Sequence, residues 1–340
     1  MRARDGRPGT AIVRAPNHLG DLVMALPALR AAGNADVMVV RGLTPLLEMA
    51  DLPGQLVPFD RGTAGFWRAA RTLRGAQYER GILLPPSLSS ALLFTAGNVR
   101  NRRGTPANGR RPLLQEVVPL HSTTGVHRSS AYYLVVTGTA PADAPIPAVA
   151  VPEEARERFR TLAGPLHGAV IGLCPGSNAP SRRWDADRYA SLARRLVREG
   201  ARVFVFGGPA EQRLTASVAG EVAVDLGGRT DLALLAAGLA SCRVVVTNDS
   251  GPMHLAAAVG TPTLSLQGPA DPAVTRPLGA GHRMLQHPEL PCVPCVKNVC
   301  PRSGRGYVLP DATRECLRLI SVDDAVTALR ANDSAALSLQ

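Results

Sequence analysis

A chain of 340 residues, 45% hydrophobic and 19% charged, is too long for one small core and too apolar for disorder, so two globular domains are the default. Aromatic residues make up only 4%, too few for a binder that stacks bases, so the formal net charge of +11 does not point to nucleic acid. Arginine supplies all of the basic residues except Lys297, which reads as a coding bias rather than selection for a basic surface.

In chain order, MRARDGRPGT leads into AIVR, a strand signal at 11–14, without an apolar leader or cleavage site. No apolar run reaches spanning length, so the expected location is the cytoplasm, with at most a peripheral touch on the inner face of the membrane. The turn PNHLGD is followed by a helical pattern over 22–32. The alternation continues with a strand at 36–41, helix at 44–50, strand at 56–59, helix at 66–77, strand at 81–84 and helix at 87–96. This rhythm implies βαβ units and a parallel sheet. A loop over 98–112 holds Arg100, Arg102, Arg103, Arg110 and Arg111 without an acid. It suits either a solvated segment or an anionic acceptor or membrane surface. After a helical stretch at 129–136, TAPADAPIPAVAVPEEA at 139–155 marks an interdomain linker.

The second half restarts the pattern with a strand at 168–173, a loop CPGSNAPSRRW, a helix at 186–199 and a strand at 202–206. A Gly-Gly-Pro turn, a helix to about 220, a short strand at 223–226 and a helix at 231–240 follow. Then comes VVVTNDSGPMHLAAAVGTPTLSL, a strand, sharp turn, helix and strand, before a cysteine-bearing loop and a last helix near 322–331. The expected fold is α/β, with two Rossmann-like parallel-sheet halves, 1–150 and 151–340, facing across a cleft. No GxGxxG follows the first strand, which disfavours a nicotinamide dehydrogenase.

Polar groups concentrate where strands end. Asp249, Ser250, Gly251 and His254 follow an apolar strand, and the backbone N–H groups at Ser250 and Gly251 open a helix, a ready anion site. Taken alone, the segment equally suits an Asp/Ser cap with a core-facing histidine. Gly20 permits a tight turn before Asp21, which sits at the cleft end of the first strand; by itself it would merely complement the helix dipole. Ser177, Arg182 and Arg183 follow another strand, and two adjacent guanidinium forks suit a diphosphate. Of the six cysteines, Cys174 and Cys242 fall in or beside strand-like runs. Cys292, Cys295, Cys300 and Cys316 crowd into 292–316, which suits either a Cys₄ donor set for a structural zinc or iron or four metal-free thiols in a surface loop.

Together these motifs resemble glycosyltransferase family 9, the ADP-heptose:lipopolysaccharide heptosyltransferases, through NHLGDLVMALPALRA, SALLFTAGNVRNRRGTPANGRRPLL, CPGSNAPSRRWDADRYASLARRL, FGGPAEQ, LGGRTDLALLAAGLASCRVVVTNDSGPMHLAAAVGTPTLSLQGPADP and CVPCVKNVCP. The resemblance implies a GT-B fold, with an acceptor-binding domain at 1–150 and an ADP-sugar-binding domain at 151–340. It puts the catalytic base on Asp21 and the diphosphate-binding basic residue on Arg182, where the family usually has lysine, with Arg183 beside it. Asp249 and His254 would contact donor sugar and phosphate, with Ser177, Ser250 and Gly251 completing the donor side. The basic cluster at Arg100, Arg102 and Arg103 would face the acceptor. The implied reaction is inverting transfer of heptose from ADP-heptose to a sugar hydroxyl, foremost on the inner-core heptose of lipopolysaccharide, with no cofactor required for catalysis. The acceptor would be a glycan, anionic and lipid-linked in the lipopolysaccharide case, and the chain would not bind nucleic acid. A natural product, another surface glycan or a protein are alternative acceptors. A sugar-nucleotide epimerase and a non-catalytic carbohydrate binder are the rivals from other classes.

Overall fold

The computed structural model describes residues 10–166, 168–301 and 314–336. Its contacts divide the chain into two compact units, Met1–Val149 and Ala150–Gln340. In the first, β1 (Ala11–Arg14), β2 (Asp36–Val40), β3 (Leu56–Phe59), β4 (Arg80–Leu83), β5 (Asn101–Gly104) and β6 (Glu116–Val117) form one sheet in the order β3-β2-β1-β4-β5-β6. Every pairing in it is parallel, with Val13 of β1 opposite Val37 on one side and Ile82 on the other. The connecting helices are α1 (Leu19–Ala31), α2 (Thr44–Met49), α3 (Thr63–Ala76), α4 (Leu88–Ala96) and α5 (Arg128–Thr137). Ile12 and Val13 are fully buried, as a central parallel strand covered on both faces requires. Helix α1 buries Leu22, Val23, Met24, Ala25 and Leu26 in succession, so it lies within the unit rather than over it.

The second unit carries β7 (Val170–Cys174), β8 (Arg202–Val205), β9 (Val224–Asp225), β10 (Val244–Asn248), β11 (Thr263–Leu266) and β12 (Arg283–Leu285), in the order β12-β11-β10-β7-β8-β9. Its helices are α6 (Glu153–Ala163), α7 (Ala186–Arg198), α8 (Gln212–Ala219), α9 (Leu232–Ala240), α10 (Gly251–Ala258), α11 (Pro272–Thr275), α12 (Glu315–Arg318) and α13 (Val322–Ala336). One core cluster joins Val246, Leu264 and Leu266 of the sheet to Tyr189 and Leu192 of α7 and to Leu317, Ile320, Ala325 and Val326 near the C-terminus. Each such aliphatic side chain contributes about 1.5–3 kcal/mol of burial, which is why the last helix is held against the sheet.

Several elements differ from the expectation; α6 (Glu153–Ala163) starts inside the segment expected as a linker over 139–155. The segment expected as a loop over 98–112 contains β5, because Arg102 and Arg103 pair in parallel with Gly81 and Ile82. Strands β6 and β12, at two and three residues, are too short to leave a periodic signal. Helices α1 and α3 each begin three residues earlier than their apolar pattern, at Leu19 and Thr63. Among the described residues no helix is long and apolar enough to cross a membrane.

Candidate functional site

In both units the strand order reverses beside the central strand, between β1 and β4 in the first and between β7 and β10 in the second. In open parallel sheets the crevice outside the carboxyl ends at such a reversal is where ligands bind. Asp21 follows β1, Ser177–Arg183 follows β7, and Asp249–His254 follows β10, so these sequence candidates all lie at the reversal of their own sheet.

Asp21 occupies the first turn of α1. The Tyr132 hydroxyl, on α5, donates to its Oδ1 at 3.2 Å, and the Arg128 Nε stands 4.0 Å from the same oxygen. Both contacts fall on Oδ1, which leaves Oδ2 to take a proton. Burial first, and then the charge of Asp21, pushes the Tyr132 phenol well up, so it remains a donor through the neutral range. Neither Tyr132 nor Arg128 was legible as a site residue. They lie 111 and 107 positions from Asp21 in sequence, and only the packing of α5 on α1 brings them together.

In the second unit, Arg182 donates from Nη1 to Asp249 Oδ2 at 2.8 Å, with Asp249 almost fully buried and Arg182 24% exposed. Arg182 Nε and Ser250 Oγ are both buried without a hydrogen-bond partner. Orphaned polar atoms at a strand end call for a ligand or water to satisfy them. Ser250 is the N-cap of α10 but makes no side-chain cap bond, while His254 is buried one turn further on. Arg183 is used differently: its Nε donates to the Ser177 carbonyl at 2.7 Å, bracing the turn, and the Ser177 hydroxyl accepts from Ala179 N–H.

A residue absent from the sequence reading organises this end of the sheet. Asn248 accepts at Oδ1 from Trp184 N–H at 3.0 Å and from the Tyr189 hydroxyl at 3.3 Å. Its Nδ2 donates to the Pro175 carbonyl at 2.7 Å. One buried amide thus ties the end of β10 to both flanks of the loop bearing Arg182, at about 1 kcal/mol per bond. At Gly176 of that loop a Cβ would sit 1.9 Å from Glu211 Oε1, and Glu211 Oε2 in turn accepts from Gly208 N–H. The two glycine turns are therefore locked around one carboxylate.

Within the arginine cluster, Arg102, Arg103 and Arg110 turn donors onto partners inside the first unit. Arg102 donates from Nε to the Leu113 carbonyl at 2.6 Å and from Nη1 to the Val99 carbonyl. Arg103 donates to the Val135 carbonyl at 2.7 Å and pairs with Glu116 at 3.0 Å. Arg110 is fully buried and donates to the Thr105 and Pro85 carbonyls. Carbonyls left open in loops, in the turn ending at Leu113 and in the last turn of α5 attract these forks, and Arg100 alone of the three proposed acceptor residues is exposed.

Cys292, Cys295, Cys300 and Cys316 line one small cavity together with Ser181, Pro269 and Arg314. Burial first, then the neighbouring thiols, raises the Cys316 thiol to about 11. The donor chemistry suits a soft divalent ion, although among the described residues no three His, Cys, Asp or Glu side chains already stand in metal-holding geometry. Residues 302–313 of the loop lie outside the described residues. The cavity adjoins the Arg182 turn: Ser181 Oγ donates to the Lys297 carbonyl at 2.6 Å and Ser181 N–H to the Asn298 carbonyl at 3.2 Å.

The model of glycosyltransferase family 9 (heptosyltransferase) matches residues 66–304. The chain is 29% identical over 303 residues to lipopolysaccharide heptosyltransferase 2 of Salmonella typhimurium, covering 81% of this chain and 87% of that protein. It is 31% identical over 301 residues to lipooligosaccharide heptosyltransferase 2 of Haemophilus influenzae, covering 78% and 85%. The solved structure of Escherichia coli ADP-heptose lps heptosyltransferase II superposes with a TM-score of 0.79 at 24% identity, covering 95% of this chain and 98% of that one.

Proposed function

The chain belongs to glycosyltransferase family 9, the heptosyltransferases, and from that premise we propose that it moves heptose from ADP-heptose to the inner-core heptose of lipopolysaccharide. The donor belongs to the second unit and the acceptor to the first. Asp21 Oδ2 takes the proton of the acceptor hydroxyl as that oxygen attacks the anomeric carbon. The carbon–oxygen bond to the diphosphate breaks in the same displacement, inverting the centre through an oxocarbenium-like state. Negative charge grows on ADP, and Arg182, with the Ser250 hydroxyl and the N–H groups opening α10, is available to meet it. Asp249 orients Arg182, and His254 lies beside the same turn.

The observation that carries this reading is Asp21, a carboxylate in the first turn of α1 whose partners engage one oxygen and leave the other uncommitted. The test is incubation of the purified chain with ADP-heptose, with and without a heptosylated inner-core acceptor, read by mass spectrometry. A product heavier by one heptose, and formed only with the acceptor, is expected. Conversion of the nucleotide sugar without acceptor would mean an epimerase and would overturn the reading.

Two subsidiary proposals accompany it. The four thiols around Cys316 would hold a structural zinc or iron that braces the Arg182 turn and supplies no chemistry to the transfer. The enzyme would work in the cytoplasm, resting peripherally on the inner membrane face when its acceptor is lipid-linked. Trp67 on α3 and Leu88 and Leu92, one turn apart on α4, are exposed apolar groups of the first unit that suit such contact.

A further inference from the structure

We propose that the cysteine cavity of the second unit is an oxidation-sensitive modification site, at which a disulfide between Cys292 and Cys295 releases the Arg182 turn and weakens nucleotide binding there. The proposal rests on the reading that this turn receives the donor diphosphate, and it adds a regulation to it.

Cys292, Cys295 and Cys300 are part-exposed and Cys316 is buried. All four line one space of about 20 Å³, room for about one water, so their sulfurs lie within reach of one another. Cys316 keeps its proton, because burial and then the neighbouring thiols raise it to about 11. The attacking thiolate therefore comes from the part-exposed three, and the C-x2-C spacing of Cys292 and Cys295 is that of an exchangeable disulfide.

The oxidant is a peroxide. One thiolate attacks an oxygen of hydrogen peroxide, the O–O bond breaks, and a sulfenic acid and hydroxide form. The second thiolate attacks that sulfur, the S–O bond breaks, and a second hydroxide leaves as the disulfide closes. Both hydroxides take up the thiol protons, so two thiols and one peroxide give one disulfide and two waters. A dithiol restores the thiols by exchange.

The segments that bear the thiols grip the Arg182 turn from two sides. Between Cys295 and Cys300, the Lys297 carbonyl accepts from Ser181 Oγ at 2.6 Å and the Asn298 carbonyl from Ser181 N–H at 3.2 Å. Two residues before Cys316, Arg314 donates from Nη2 to Asp185 Oδ1 at 2.8 Å and from Nη1 to the Arg183 carbonyl. Ser181 is only 3% exposed, so its neighbour Arg182 cannot keep its place if that seat moves. The seat is also strained. Val296 holds a left-handed φ of 53° while its side chain stands exposed, a conformation unfavourable for a β-branched residue. Its N–H donates to the Pro269 carbonyl at 2.8 Å. Such strain persists only where surrounding contacts over-determine it, and a cross-link that pulls on Cys295 lets the segment relax away from Ser181.

Trp184 supplies a readout that needs no nucleotide. It stands two residues after Arg182, is 2% exposed, and donates from Nε1 to the Ile320 carbonyl at 3.0 Å. The chain has two tryptophans, and the other, Trp67, is exposed, so Trp67→Phe leaves Trp184 as the sole reporter. The test treats this full-length protein with hydrogen peroxide, maps the disulfide by peptide mass spectrometry, and measures ADP binding by calorimetry. Oxidation should link Cys292 to Cys295, move Trp184 emission to longer wavelength and open it to acrylamide quenching. ADP affinity should fall about tenfold, the effect of losing one or two hydrogen bonds that hold the turn, and dithiothreitol should restore both signals. Adding Cys295→Ser should make both signals indifferent to peroxide, whatever their starting level. Failure of the disulfide to form, its formation with both signals unchanged, or a full peroxide response in Cys295→Ser overturns the switch. A reversible Trp184 response in a protein whose reduced form binds no ADP would instead refute the donor reading and leave the switch on the turn standing.

Discussion

At the scale of single residues, Asp21 and Tyr132 separate two effects that sequence alone merges. Asp21→Asn removes the acceptor for the proton and keeps the shape, so transfer should fall by about 10²–10⁴-fold. ADP affinity, read by calorimetry, should stay within error, because the proposed donor contacts belong to the other unit. Wild-type turnover in this variant would remove Asp21 as the base. Tyr132→Phe tests whether the buried hydroxyl at 3.2 Å aims the carboxylate. Loss of one hydrogen bond to a charged group is worth about 1.5–3 kcal/mol, so kcat should drop by roughly tenfold or more while the donor KM holds. An equal rise in both KM values would point to a packing role in α5 instead.

At the scale of elements, the parts that depend on local pattern were readable and those that depend on distant pairing were not. The strand at 11–14 was placed to the residue, as β1, because β-branched and apolar runs bounded by turn residues mark buried strands. Asn-Arg-Arg-Gly has no such signature, so β5 was hidden. The placement of Asp21, Asp249 and Arg182 just past strand ends was legible because polar and turn residues interrupt the apolar runs there. The Tyr132 contact and the hub at Asn248 were not, since each joins segments scores of residues apart. The direction of an arginine was equally illegible: sequence cannot say that Arg102 and Arg103 turn their forks onto carbonyls. For the β10–α10 turn we expect Asp249→Ala and His254→Ala each to weaken ADP binding, measured by calorimetry, by about tenfold or more. Asp249→Ala should also lower the melting temperature, by about 2–4 °C for each kcal/mol lost with the Arg182 pair. Unchanged affinity in both would exclude this turn from the donor site. For the cysteine loop, elemental analysis of purified protein should find close to one zinc or iron per chain. The double substitution Cys292→Ser/Cys295→Ser should lose it and, through Ser181, weaken ADP binding as well. A metal-free wild type with full activity would exclude the ion.

At the scale of the whole molecule, the charge of +11 overstates how basic the protein is toward a partner. Arg14 and Arg110 are buried, and Arg102, Arg103 and Arg182 are committed to internal partners. The repeated strand order reaches beyond the purified enzyme, into how the gene tolerates interruption. A stop codon just after 149 ends the polypeptide between two complete sheets, so that allele should yield a folded product that persists in cells. A stop codon just before 244 deletes β10 and leaves β7 without its neighbour at the middle of the second sheet. Its transcript should be normal and its product degraded. Immunoblots of the two truncations, normalised to message, should differ by tenfold or more in favour of the shorter chain, and the reverse order would mean that the first unit cannot stand without the second.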